Sequence, residues 1–473
     1  MSSPFRARSN RLAAVAGGLL LGALGSCSPA PRPASLLLIT LDTVRADHLG
    51  ACGHSRPTSP RIDALAREGT LFRNTFAPVP RTTQSVATIL TGLSPKHHRA
   101  RGLFSFLPPA NTTLAEILGE RGYSTRAVVS NIFLQPGKGF EQGFESYSNP
   151  RSRFAGNSSR EITDEALQGL RALSPGPPFF LWVHYLDPHW SYDPAPELAE
   201  KFDPGYRPSE AMREMLEGKF HKGDIIFNNP LPPEDRRHVE ALYDGEIAQV
   251  DAQVGRLLDG IPPEIRKDLL IVLTSDHGES LGEHGYSYAH GEYLYDGTLR
   301  VPLVFAFPGR IAAGAAEERA VALMDIAPSI LRLLGLPDRP GMDGAPLFTR
   351  DGDRFSPAGG HDLLFAETDY QLIHSANPRF FLPGVRGRWS SARRGSLKMI
   401  RIPTPGGNLY ELYDLRADPG EERPLDLSTV GAAAGLMRDL ERWVDYEEGA
   451  GDDPEESLSP EQRERLRSLG YLQ

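Results

Sequence analysis

The sequence predicts an α/β fold: a mostly parallel central sheet flanked by helices, followed by a smaller C-terminal α+β subdomain with an antiparallel sheet. Three observations carry that expectation. Two apolar runs, SLLLITLD and LLIVLTSD, each end in an aspartate, Asp42 and Asp276, and continuous runs of this kind suit strands buried on both faces of a parallel sheet. Helical and strand-like segments alternate up to about residue 350. Beyond it, short runs such as DLLFAET, SLKMIRI and NLYELYDL are separated by turn residues, the texture of antiparallel strands.

In chain order, residues 1–26 read as an export signal. Arg6, Arg8 and Arg11 precede the apolar run AAVAGGLLLGALGS. LGSC, ending at Cys27, suits a lipobox with Cys27 as the lipidated first residue of the mature chain; the other reading is a plain cleaved signal with a coincident cysteine. Ser28 after that cysteine points to a cell-envelope address, at the outer membrane facing periplasm or exterior. Removing three arginines takes the formal charge from −10 to −13, which argues against a nucleic-acid partner. Membrane attachment would then be through the N-terminal lipid alone, since no later apolar run is long enough to span a bilayer. Cys52, the one other cysteine, is expected to be a small buried thiol.

Residues 27–35 form a Pro-rich tether, 36–349 the first domain and 350–473 the C-terminal subdomain. After the Asp42 strand comes a polar loop with Arg45, Asp47, His48 and His54. A helix is expected over Pro60–Gly69 and a strand over LFRNTFAPV. A Thr-capped helix follows over Thr112–Gly122, then a strand over YSTRAVVSN. Next come a helix over Glu161–Leu173 and a strand over Phe179–His184, whose terminal loop carries His189. Residues 193–232 look like an insertion or lid. Glu234–Asp259 reads as the longest helix, VPLVFAFPG as a strand and Val321–Leu334 as a helix. A helix over Ala432–Trp443 would cover the C-terminal sheet, and EQRERLRSLGYL would dock as a short terminal helix.

The chemistry centres on PRTTQSVATILTG, a turn handing over to a helix, with Thr82 and Thr83 at the junction. One reading of that threonine is an N-cap and nothing more. The other starts from the positive field of a helix N-terminus, which favours an anionic phosphoryl or sulfuryl group and an attacking alkoxide. A divalent cation on the same oxygen would lower its pKa further. Asp42, Asp276 and His277 close two strands whose ends lie side by side in a doubly wound sheet. With Thr82 as fourth ligand they would form a metal site.

These motifs resemble the sulfatase family of the alkaline-phosphatase superfamily. The matching stretches are LLLITLDTVRADHLG, the turn before SVATILTG, YDGEIAQVDAQVGRLL, TSDHGESLGEHG, YLYDGTLRVPL, MDIAPSILRLLGL and NLYELYDLRADPGE. The resemblance implies a sulfatase-like fold and an ester hydrolase. It implies metal ligands at Asp42, Asp276 and His277, a nucleophile at Thr82, and His189 and His290 near the transferred group or leaving oxygen, with His284 a weaker candidate. Departures from the family pattern are equally specific. Sulfatases oxidise a Cys or Ser to formylglycine, whereas Thr82 carries a methyl on Cβ, so no formylglycine is expected. Val86 replaces the arginine that orients the modified residue, Thr43 the second aspartate, and Ser130 and Ile132 the Lys-x-His that holds sulfate.

Phosphate-handling relatives use a plain threonine. The resemblance therefore implies one divalent ion (Mn, Zn or Ca, with His277 favouring Mn or Zn) and an anionic ester substrate, such as a glycan or lipid head group. Two alternatives remain. One is a phosphoethanolamine-type transferase acting on envelope glycans; the other is a non-catalytic sulfatase-like binding protein.

Overall fold

In the computed structural model the chain divides into two units, Met1–Pro33 and Ala34–Gln473. The structure describes residues 33–150, 158–173, 176–220, 222–368, 388–404 and 406–445. Cys27, the export signal and the terminal EQRERLRSLGYL lie outside these. Among the described residues no helix is long and apolar enough to cross a membrane.

The central sheet has nine strands: β1 (Ser35–Leu41), β2 (Thr70–Phe76), β3 (Ser124–Val129), β4 (Ser146–Ser148), β5 (Phe179–Tyr185), β6 (Leu269–Ser275), β7 (Arg300–Ala306), β8 (Ala315–Glu317) and β9 (Val321–Ala322). Their order is β8-β2-β7-β6-β1-β5-β3-β4, with β9 also paired to β2. All pairings are parallel except the two made by β7, which runs against β2 and β6. The sheet is therefore mixed at one strand and parallel through the block β6-β1-β5-β3 that ends at the site.

Alternation along each strand splits the core into two layers. Leu36, Leu38, Leu270 and Val272 face one side, with Val86, Ala87, Ile89 and Leu90 of α2 (Thr82–Thr91). Leu37, Ile39, Leu269, Ile271 and Leu273 face the other. They pack with α1 (Pro60–Glu68), α3 (Ser159–Leu173) and α4 (Pro233–Asp259), whose Val239, Tyr243, Ile247 and Val250 form the buried stripe. Strands apolar throughout follow from being covered on both faces.

Local expectations are corrected or refined at four places. Residues 321–334 are not one helix: β9 and a 3₁₀ turn precede α5 (Ile326–Leu333), because β9 is recruited by the edge of β2. Residues 193–232 are a helical insertion, with helices at Pro196–Phe202, Glu210–Leu216 and Lys222–Asn228. Cys52 is only half-buried. The helix expected over Thr112–Gly122 is confined to Leu114–Gly119, opened by a capping box between Thr113 and Glu116.

The C-terminal sheet is antiparallel, β10 (Leu364–Glu367), β11 (Ser390–Arg394), β12 (Leu397–Thr404) and β13 (Gly407–Asp414) in that order. Helix α6 (Ala433–Asp445) covers it through Leu436 and Leu440 against Ala392, Met399 and Leu412. The sheet also clamps the loop after β6. Lys398 is 1% exposed; its Nζ lies 2.8 Å from Asp296 and 2.6 Å from Glu421, and Arg393 also bonds Asp296. Burial raises the Asp296 carboxyl, but Arg393 and Lys398 outweigh it and hold it well below the usual range. Glu421 is pushed up to about 7 by burial and Asp296, against Lys398. Replacing Lys398 by Met leaves these carboxylates short of a cation, so Lys398→Met should cost about 3 kcal/mol in denaturant unfolding. A loss below about 1 kcal/mol, the surface-pair range, would contradict a clamp of this kind.

Candidate active site

Strand register brings the site residues together. Leu41 pairs with Ser275, so Asp42 and Asp276 leave adjacent strands at the same level. Thr40 pairs with His184, and His184 with Val129, which sets Asn131 beside them. Asp42, Asp276, His277 and His184 are all 0% exposed.

The nucleophile candidate enters from α2. Thr82 is the first helical residue, and Arg81 takes the N-cap position without a side-chain cap bond; Thr82 is thus not the cap. Its Oγ1 lies 3.5 Å from His277 Nε2 and 3.4 Å from Asn131 Nδ2. Thr83, the other junction hydroxyl, donates to Leu103 O at 3.0 Å, which leaves Thr82 as the junction oxygen beside His277 and Asn131. Asn131 is locked in place: its Oδ1 accepts from Phe133 N–H at 2.8 Å, and its Nδ2 donates to Asp42 Oδ2 at 2.6 Å.

The carboxylates are oriented but incompletely bonded. Asp276 Oδ1 accepts from the His277 N–H at 2.8 Å and the Thr43 N–H at 3.3 Å. Thr43 reaches it through a left-handed turn, φ 59°. Asp42 Oδ1 and Asp276 Oδ2 have no hydrogen-bond partner. His277 Nε2 stands 3.8 Å and 3.6 Å from those two oxygens. His184 Nε2, also without a hydrogen bond, is 3.5 Å from Asp42 Oδ2. Contacts of Nδ1 with Gly278 O (2.9 Å) and Thr40 Oγ1 (2.8 Å) fix the two rings. Burial raises the Asp42 carboxyl, but His184, His189 and His277 outweigh it and hold it below its ordinary value. Asp276 is pushed up to about 6 by burial and by Asp42, against His277. Orphaned buried carboxylate oxygens with imidazole nitrogens around them fit a divalent cation.

Among the described residues a second group, His48, His54 and Asp244, has comparable spacing. It fails the same test. Asp244 Oδ1 is taken by His48 at 2.7 Å and Oδ2 by Arg56 at 2.6 Å, with His54 at 3.3 Å. Despite burial, these partners hold Asp244 well below the usual range.

The other predicted histidines divide. His290 lies next to His277, ring centroids 4.3 Å apart and planes tilted by 42°, and His189 meets His290 edge-on at 5.1 Å. His290 Nδ1 contacts Glu279 Oε1 at 2.9 Å, and Glu279 is 0% exposed. His284 is elsewhere: it stacks on Tyr295 at 3.4 Å and lines a crevice of about 460 Å³ with Arg45, Glu283 and Asp296. Arg81 ties the loop carrying His290 to the start of α2 through Glu292 at 2.6 Å. Gly291, φ 105°, is required there, since a Cβ would lie 2.0 Å from Arg81 Nε.

His184, Asn131 and Glu279 were missed in the sequence. An ionisable residue inside the otherwise apolar run FFLWVHY was the available signal for His184; an amide just past a strand end was the signal for Asn131.

The Sulfatase family model matches residues 35–336. The chain belongs to the sulfatase family. A second model, N-sulphoglucosamine sulphohydrolase, C-terminal, matches residues 282–430. Human iduronate 2-sulfatase is 27% identical over 369 residues, 65% of this chain and 66% of that one. The arylsulfatase of Clostridium perfringens is 24% identical over 374 residues, 64% of this chain and 76% of its own. The phosphonate monoester hydrolase of Agrobacterium radiobacter superposes with a TM-score of 0.69 at 25% identity, covering 88% of this chain and 95% of that one. A structure solved with its substrate D-glucosamine-2-N,6-O-disulfate shares the fold, TM-score 0.66 at 20% identity over 88% of this chain and 97% of that one. This chain is accordingly an ester-hydrolysing enzyme of a metal-dependent family.

The pH dependence of ion removal follows. Asp276 takes its proton at about 6 in the fold against an ordinary 3.8. A raised carboxyl contributes stability that is complete below about 3.8 and lost as pH rises through about 6. Without an ion, that loss is uncompensated. EDTA should therefore lower the melting temperature above about pH 6 and have little effect near pH 4. Readdition of Mn²⁺ at about a hundred times its Kd should restore about 2.7 kcal/mol, and Asp42→Asn should abolish that recovery. Indifference to EDTA at both pH values would contradict the site.

Proposed function

We propose that the protein is an exported, metal-dependent hydrolase of phosphate or phosphonate esters, with Thr82 as nucleophile. The observation that carries the reading is the Thr82 hydroxyl 3.5 Å from His277 Nε2, a nitrogen that stands 3.8 Å and 3.6 Å from the partnerless oxygens Asp42 Oδ1 and Asp276 Oδ2. Its Cβ methyl forbids oxidation to an aldehyde, which favours phosphorus over sulfur as the atom attacked. The phosphonate monoester hydrolase of Agrobacterium radiobacter supports this choice. The sulfated substrate solved with the glucosamine-disulfate relative and the name of human iduronate 2-sulfatase support an ester on a saccharide. Sulfate esters are the competing substrate class.

Asp42, Asp276, His277 and Thr82 would hold the ion, with His184 beside them; Mn²⁺ or Zn²⁺ suits this donor set better than Ca²⁺. When bound, it supplies Lewis acidity that lowers the pKa of the Thr82 hydroxyl and polarises the ester. Thr82 Oγ1 attacks phosphorus, the bond to the leaving oxygen breaks, and the acid group is carried as an ester of Thr82 until water releases it. Asn131 Nδ2 and the N-terminus of α2 supply donors and positive field for the developing charge. His290, set by Glu279 and 4.3 Å from His277 between ring centroids, and His189 next to it protonate the leaving oxygen. Lipidation at Cys27 would anchor the enzyme in the cell envelope.

Turnover of p-nitrophenyl phosphate, bis(p-nitrophenyl) phosphate and p-nitrophenyl sulfate by metal-loaded protein tests the assignment. Thr82→Ala should lose about a thousandfold or more in kcat on the preferred ester, while Thr82→Ser should keep activity within about tenfold. Undiminished turnover by Thr82→Ala removes Thr82 from the mechanism. A clear preference for the sulfate ester overturns the phosphoryl assignment.

A further inference from the structure

The turn that leaves β1 is strained, and the strain sits beside the candidate ion ligands. Thr43 follows Asp42 directly and holds a φ of 59°, a conformation that a β-branched side chain resists. The side chain does not explain it, since Thr43 Oγ1 is buried without a hydrogen-bond partner. The backbone does. Thr43 N–H donates to Asp276 Oδ1 at 3.3 Å. Together with the His277 N–H at 2.8 Å it holds that oxygen, while Oδ2 stays without a partner.

The group that keeps the turn in place comes from outside the sheet. Tyr243 lies on α4 and is 0% exposed. Its hydroxyl donates to Thr43 O at 2.8 Å and accepts from Arg45 N–H at 3.0 Å, so one phenol oxygen spans both ends of the turn. Between them, Val44 N–H donates to Ser275 Oγ at 2.9 Å. The Tyr243 ring is itself held edge-on, by His48 at 5.1 Å and Tyr192 at 5.3 Å between centroids. His48 Nδ1 is fixed in turn, 2.7 Å from Asp244 Oδ1. The His48–Asp244 pair thus backs the tyrosine.

Without the Tyr243 hydroxyl, Thr43 C=O and Arg45 N–H would lose these partners in a buried turn, a costly state. The left-handed Thr43 would no longer be offset, and its return to negative φ would turn the N–H away from Asp276. The carboxylate would then be free to rotate, and an ion site depends on ligands held in orientation by their outer partners.

We propose that Tyr243 is a positioning residue of the ion site: it holds the strained turn at Thr43 and, through it, the orientation of Asp276. The proposal rests on the reading of Asp42, Asp276 and His277 as ion ligands and is independent of the role of Thr82.

Mn²⁺ binding to EDTA-stripped, full-length protein, measured by isothermal titration, tests it without turnover. Tyr243→Phe keeps the ring against His48 and Tyr192 and should weaken Mn²⁺ binding at least about tenfold. Adding Thr43→Gly removes the strain, because glycine takes positive φ freely, and should recover about fivefold of that loss. Tyr185→Phe is the control. Its buried hydroxyl bonds Thr163 Oγ1 at 2.9 Å instead of the turn, so it should lower the metal-free melting temperature while leaving the Mn²⁺ Kd within about twofold. An unchanged Kd in Tyr243→Phe, an equal loss in Tyr185→Phe, or no recovery on adding Thr43→Gly overturns the proposal. Failure of metal-free Tyr243→Phe to fold would make Tyr243 a general support of the core and also overturns it. A parent protein that binds no Mn²⁺ removes the ion reading itself, whereas a parent that binds it as tightly as Tyr243→Phe removes this proposal alone.

Discussion

Two carboxylates brought side by side at zero exposure cannot both stay charged unless something positive stands with them. Asp42 and Asp276 are in that position, with ligand atoms of the group they form with His184 all within 4.8 Å of one another. Like charges at that distance repel by about 3.5 kcal/mol at an effective dielectric near 20. Hydrogen bonds relieve this only in part: Asp276 Oδ1 and Asp42 Oδ2 accept them, while Asp42 Oδ1 and Asp276 Oδ2 are left without partners. The fold surrounds them with imidazole nitrogens and one threonine hydroxyl. At Asp244, by contrast, Arg56 and two histidines take up the charge. The difference between a structural carboxylate and a candidate ligand here is whether the protein itself completes the coordination.

The rest of the architecture serves that unfinished site. Parallel pairing of β1 with β5 and β6 delivers Asp42, His184 and Asp276 at one level. Helix α2 supplies Thr82 at its positive end, where an incoming anion is favoured. The long loop after β6 would be free to drift, but it is tied at two places. Glu292 holds it to Arg81, immediately before Thr82, and Asp296 holds it to Lys398 of the C-terminal sheet. The C-terminal sheet thus fixes the loop that carries His290.

The parts of the candidate site written as local pattern were legible in the sequence. Asp42 and Asp276 announced themselves by ending uninterrupted apolar runs, His277 by following one of them, and Thr82 by opening an apolar helix after a turn. His184 and Asn131 carried only a weak local signal, because their place in the candidate site comes from strand register, through the neighbours of Thr40 and Val129 across the sheet. The same limit explains β7 and β9. Periodicity distinguishes strand from helix but does not give a strand's direction, and two residues captured by the β2 edge look like the start of the helix that follows. Thr82 illustrates a subtler case. The residue type suggested a cap, yet the backbone gives that position to Arg81 and the threonine oxygen lies beside His277.

The most direct test of this account is the position of the ion in crystals grown with Mn²⁺, located by anomalous scattering. The account predicts a peak enclosed by Asp42, Asp276 and His277 with the Thr82 oxygen in its coordination sphere. A peak at His48, His54 and Asp244 instead, with Asp42 and Asp276 sharing a proton and no ion between them, would contradict it.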